Sequence, residues 1–142
     1  MLKILVAVDG SAHAQHAIEA AVRLQAQTKG LEAILVNVRQ WPLLQGDLPP
    51  LRYEEIEADQ IRQQKALLES MLAGARRSGL ELVSTLGEVG EPATEIVRVA
   101  QEKGVDQIVM GTHGRGAVGS LLMGSVAQRV MHLAKVPVVL VK

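Results

Sequence analysis

Five glycines stand among the fifteen residues GTHGRGAVGSLLMGS, 111 to 125, directly after the apolar run VDQIVM. One or two would mark a turn that needs positive φ. Five in a loop that leaves a strand and enters a helix point instead to backbone amides turned toward an anion, reinforced by the unpaired N–H groups and partial positive charge of the helix N-terminus. Phosphate is the natural occupant. Arg115 adds a cation within the loop, and His113 either contacts phosphate or faces solvent. From residue 107 to the end the chain carries Arg115, Arg129, Lys135 and Lys142 and no acid, which places the loop in the positive part of a balanced molecule.

Three phosphate-binding patterns compete for this stretch. Gly114, Gly116 and Gly119 fit G-x-G-x-x-G, but that dinucleotide fingerprint needs an acidic residue about 20 positions on for the ribose, and no Asp or Glu follows Asp106. Gly119 to Ser125 has the spaced glycines and hydroxyl of a P-loop without its lysine. The third spacing is Gly111, two residues, Gly114, nine residues, then Gly124 and Ser125. This G-x2-G-x9-G-[ST] pattern, with VMGTHGRG and LLMGSVAQRV around it and VAVDGS near the start, resembles the ATP-binding branch of the universal stress proteins over the whole chain.

The resemblance implies a stress-response regulator, a nucleotide-dependent switch acting through dimerisation and unidentified protein partners, with a slow ATP hydrolase or autophosphorylating enzyme as the alternative. It implies a five-stranded sheet ordered 3-2-1-4-5, with ATP and Mg2+ where the first and fourth strands part. Asp9 would lie beside the ribose or the metal, and the Val38 backbone beside the adenine edge, with Ala7 against the ring. Gly111 and Gly114 would let the backbone approach ribose and phosphate. The amides of Gly124, Ser125 and Val126 and the Ser125 hydroxyl would hold the β and γ phosphates, assisted by Arg115 and His113. Asn37 departs from the histidine common in the family. Three or four charge-assisted bonds at about 1.5 to 3 kcal/mol each, less the cost of association and plus adenine burial, suggest roughly micromolar affinity.

Other constellations are weaker. His13 and His16 lie one turn apart but lack a nearby third ligand, so helix-surface histidines account for them better than a metal. Glu88 and Glu91 flank Gly90; a polar turn in which Glu91 caps the next helix explains them better than a general base. Trp41 with Leu43, Leu44 and Leu48 makes the 39–50 loop unusually apolar, a lid or a contact surface.

The elements that must position these groups alternate along the chain. Short β-branched runs at 3–8, 33–38, 80–85, 106–111 and 137–142 are continuously apolar, as strands covered on both faces are. Between them lie helical patterns: Ala14, Ala17, Ile18, Ala21 and Leu24, capped by Ser11 and ended by Gly30; about 52–77 through Ile61, Leu68, Met71, Leu72 and Ala75 to Gly79, with a first half, YEEIEADQIRQQ, polar enough to project into solvent; Pro92 through Ile96, Val97 and Ala100 to Gly104; and Val126, Val130, Met131 and Leu133. Five strands and four helices in alternation predict an open, doubly wound, Rossmann-like α/β domain over residues 1–142. In the strand order that the resemblance implies, the apolar fifth strand lies at the sheet edge, which predicts a homodimer joined along it.

Composition excludes other classes. The 15 basic and 15 acidic side chains cancel, and Trp41 and Tyr53 are the sole large aromatics, which argues against a nucleic-acid partner. With no cysteine there is no disulfide or thiolate chemistry. No apolar run approaches the ~20 residues of a membrane span or a secretion signal's core, so membrane insertion is not expected and a cytoplasmic location is.

Overall fold

Each β-branched run sends alternate side chains to opposite faces, and both faces are covered. The computed structural model describes residues 1–42, 50–114 and 123–142, with the backbone alone at 50 and 51. Its strands are β1 (Leu2–Ala7), β2 (Leu31–Arg39), β3 (Leu82–Val89), β4 (Gln107–Gly111) and β5 (Val138–Val141). The helices are α1 (Ala12–Gln25), α2 (Pro50–Arg77), α3 (Pro92–Glu102) and α4 (Ser125–Leu133). The strands form one parallel sheet in the order β3-β2-β1-β4-β5, as expected. Ile4, Val6, Ala33, Leu35 and Val109 meet α1 and α2 on one face. Leu5, Ile34, Val36, Ile108 and Met110 meet α3 and α4 on the other.

The helix signals hold where a local hydrogen bond enforces them. Ser11 Oγ accepts from the Ala14 amide at 3.2 Å and starts α1. Pro92 opens α3, whose N-cap is Glu91, and Gly104 turns the chain at φ +63° beyond its end. Four readings need correction. Gly30 does not end α1: the helix stops at Gln25, two turns follow, and Gly30 enters β2 at φ +114°. Ile61 leaves the packed stripe and is 47% exposed, in keeping with the polar first half around it, because the buried face of α2 begins at its C-terminal half with Leu68 and Met71. Met131 and Leu133 are exposed too, since the short α4 buries Ala127 and Val130 instead. Finally, pairing with β2 carries β3 on to Val89, so Gly87 and Glu88 are strand residues and the loop is reduced to Gly90 and Glu91. Leu43, Leu44 and Leu48 of the apolar 39–50 loop lie outside the described residues, as do Arg115, Gly116 and Gly119.

Candidate functional site

At the carboxyl ends of β1, β2 and β4 the sheet opens into a cavity of about 450 Å³, walled by α3 and α4. Parallel sheets place their ligand crevices there, where strand order reverses. The apolar end is built from Ala7, Val36, Val38, Ile96, Met110 and Val126. The polar end collects Asp9, Thr112, His113, Gly114, Gly124 and Ser125. Every predicted site residue that the structure describes therefore lines one cavity. Pro92, Ile96, Met110, Thr112 and Ala127 join them unpredicted. Ile96, Met110 and Ala127 are also buried core residues, so no signal in the sequence separates them from the rest of the core.

The geometry explains why the loop needs bare backbone. A Cβ on Gly114 would stand 2.5 Å from Asp9 Oδ2, so the first and fourth strand loops touch there. One on Gly111 would stand 2.5 Å from the Cβ of His13, where α1 packs across the end of β4. Gly111 thus has a packing reason besides any approach to a ligand. At Gly124 a Cβ would lie 3.2 Å from the Thr112 carbonyl oxygen. The Gly124 amide donates to that same oxygen at 2.7 Å and pins the two ends of the loop together. Gly124 is the N-cap of α4 and has no side chain to satisfy the first amides. Those amides lie at the cavity, the arrangement that suits an anion.

Asp9 is fixed from within its own turn. Gly10 has φ +81°, and the Ser11 amide donates to Asp9 Oδ1 at 2.9 Å. Asp9 is the one carboxylate among the described lining residues. No group of three potential metal ligands occurs among the described residues. His13 is half-buried rather than on the surface: its Nδ1 is enclosed without a hydrogen-bond partner and its ring lies 5.3 Å from that of His113 and 6.2 Å from that of His16. His113 Nδ1 stands 3.0 Å from Thr112 Oγ1.

The remaining charged candidates serve the frame. Glu91 Oε1 and Oε2 accept from the Ala93 and Thr94 amides at 3.4 and 2.7 Å. The Thr94 hydroxyl leads in holding this carboxyl below its ordinary value, with the two amides and Arg129 adding to it against the opposing effect of burial. Glu88 lies outside the cavity and pairs with Arg98 at 3.2 Å. Arg129 is 3.4 Å from Glu91, so its charge is offset at the α3 cap. Asn37 points to the α2 side of the sheet, its Nδ2 donating to the Val8 carbonyl at 2.7 Å.

The model of the universal stress protein family matches residues 1–142. The chain belongs to that family. A universal stress protein encoded in the QAH/OAS sulfhydrylase 3' region of Thermus aquaticus is 37% identical over 140 residues, covering 98% of this chain and 97% of the relative. Among solved structures, the hypothetical protein MJ0577 of Methanocaldococcus jannaschii superposes with a TM-score of 0.78 at 29% identity, over 99% of this chain and 94% of that one. The Archaeoglobus fulgidus universal stress protein, solved in complex with dAMP, gives a TM-score of 0.71 at 24% identity over 100% and 98% of the two chains.

Proposed function

We propose that this chain is an ATP-binding regulator: a cytoplasmic, single-domain switch, residues 1–142, whose nucleotide state is read by partner proteins and by a homodimer formed along β5. The observation that carries this reading is a single cavity lined both by an apolar cluster and by the joined Asp9, Gly114, Thr112 and Gly124 segments that suit an anion. The side chains of Val36, Val38, Ile96 and Met110 offer a slot for a base, and the uncapped start of α4 at Gly124 offers amides for phosphate. The dAMP complex of the Archaeoglobus fulgidus protein supports an adenine nucleotide as occupant.

Mg2+ fits the donor set in one way. It is commonly held by one or two carboxylates plus the phosphates of a nucleotide, and Asp9 provides one carboxylate at the polar end. Asp9 would hold the ion there, which would offset phosphate charge. Calorimetric titration with Mg-ATP tests the site. Gly114→Val drives a branched side chain into the Asp9 carboxylate, and Gly124→Val does the same to the Thr112 carbonyl. Both variants should stay folded by circular dichroism and lose at least about tenfold in affinity, the equivalent of one charge-assisted bond; parental affinity in both would put the nucleotide elsewhere.

A further inference from the structure

Beside that cavity, at the carboxyl ends of β2 and β3, one side-chain amide bonds to both strands. Gln64, on α2, places Nε2 2.9 Å from the Asn37 carbonyl oxygen, 3.0 Å from Asn37 Oδ1 and 2.9 Å from the Glu88 carbonyl oxygen, so that its two N–H groups are shared among three acceptors. All three partners are acceptors, which fixes the amide's orientation, since its oxygen turned that way would face oxygen. Room for it comes from Gly87: a Cβ there would lie 2.9 Å from Gln64 Oε1 and 3.1 Å from its Cδ.

Asn37 passes the constraint on. With Oδ1 held by Gln64, its Nδ2 is turned to the Val8 carbonyl. The Val8 amide already donates to the Val36 carbonyl at 2.9 Å. Both polar backbone groups of Val8 are thereby tied to β2, immediately before Asp9 and the positive-φ turn at Gly10. If the Val8 carbonyl were released, the peptide plane joining Val8 to Asp9 could rotate, and the Asp9 carboxylate would turn with it. Gln64 itself does not line the nucleotide cavity. It lines a neighbouring one of about 680 Å³ that meets the first at Asp9, Asn37 and Val38.

We infer that Gln64 is a positioning residue for the Asp9 carboxylate, acting through Asn37 on the Val8 carbonyl. The inference rests on the proposed nucleotide site for its affinity readout alone. Its structural readout is independent: the Ser11 amide, hydrogen-bonded to Asp9 Oδ1, reports the carboxylate's position in the nucleotide-free protein.

The test is Gln64→Met, which keeps length and removes the donor, with Gln64→Ala in reserve because alanine suits a helix if the first variant fails to fold. Gln63→Met, an exposed neighbour on the same helix, is the control. In the nucleotide-free protein the Ser11 amide resonance should move in Gln64→Met and not in Gln63→Met. Mg-ATP affinity should fall by about three- to tenfold, the worth of one hydrogen bond. The double variant with Asn37→Leu should bind no more weakly than Asn37→Leu alone, since two members of one relay are not additive. An unmoved Ser11 resonance, an unchanged affinity, or additive losses in the double variant would each overturn the relay. If the parent protein binds no Mg-ATP, the nucleotide reading fails, and the Ser11 resonance decides the relay by itself.

Discussion

Asp9 and Gly114 meet at a distance that admits no side chain, and this contact joins two loops far apart in sequence. In the proposed site Asp9 would hold the metal accompanying the phosphates, while its Oδ1 serves the Ser11 amide. Asp9→Asn retains an oxygen for Ser11 and removes the charge. Affinity for Mg-ATP should therefore fall about tenfold, with affinity for ATP in EDTA unchanged or raised; equal losses in both titrations would remove the metal role. The same inventory predicts little chemistry. Fast hydrolysis needs a group to orient water and cations to absorb developing charge, and the titratable side chains of the described lining are Asp9 and His113 alone, with no Lys or Arg among them and Glu88 held outside by Arg98. Phosphate release from the stoichiometric complex should stay far below the median turnover of about 10 per second; several per second, abolished in Gly124→Val, would make the protein an enzyme. The glycines were legible in sequence because their spacing is local. Their neighbours were not: that His13 covers Gly111, or that the Asn37 side chain bonds to Gln64 of α2 while Val38 packs against the cluster under α3 and α4, depends on packing between distant segments.

Helix α3 shows how a single cap can link an element to the site. Its N-cap Glu91 holds the first amides, and its first residue, Pro92, lines the cavity. Because the Glu91 carboxyl is held below its ordinary value of 4.5, chiefly by the Thr94 hydroxyl, its ionised form contributes stability above that value. The contribution is lost as pH falls through the lowered pKa. Glu91→Ala should thus cost about 1 kcal/mol near neutral pH, a typical cap loss, and the gap between the two melting curves should close in acid. A constant gap across that range would assign the loss to packing rather than to the ionised cap. At this scale the helix starts were readable from the sequence, whereas the stop read at Gly30 was not where α1 ends. Ser11, Glu91 and Pro92 stand at helix starts because their effects span one turn. Strand ends were less so: nothing in the polar run TLGEV announces a strand, and only eight paired positions along β2 carry β3 to Val89. Ile61 failed for a similar reason, since helical periodicity identifies a face but not how much of a long helix meets the sheet.

The whole sheet has two edges, β3 and β5, and they differ in character. β3 carries Ser84, Thr85, Gly87 and Glu88, whereas β5 is VVLV with Val139 38% exposed. An apolar edge strand invites pairing with another chain unless it is covered, and a second copy across a twofold axis covers it without opening a further edge. The register sets the test. The Ile108 amide donates to the Pro137 carbonyl and the Thr112 amide to the Val141 carbonyl. Strand polar groups alternate in direction, so residues 137, 139 and 141 face β4, and Val138 and Leu140 turn theirs to the free edge. Proline is tolerated on an edge strand where its missing N–H pointed outward. Val138→Pro should therefore block pairing between copies while leaving the β4 ladder intact: a dimer by light scattering at micromolar concentration becomes a monomer, with little change in melting temperature. Val139→Pro, which removes a donor facing β4, should lower the melting temperature as well. A parent protein that is monomeric under the same conditions, or a Val138→Pro variant that remains dimeric, would exclude β5 as the joining edge.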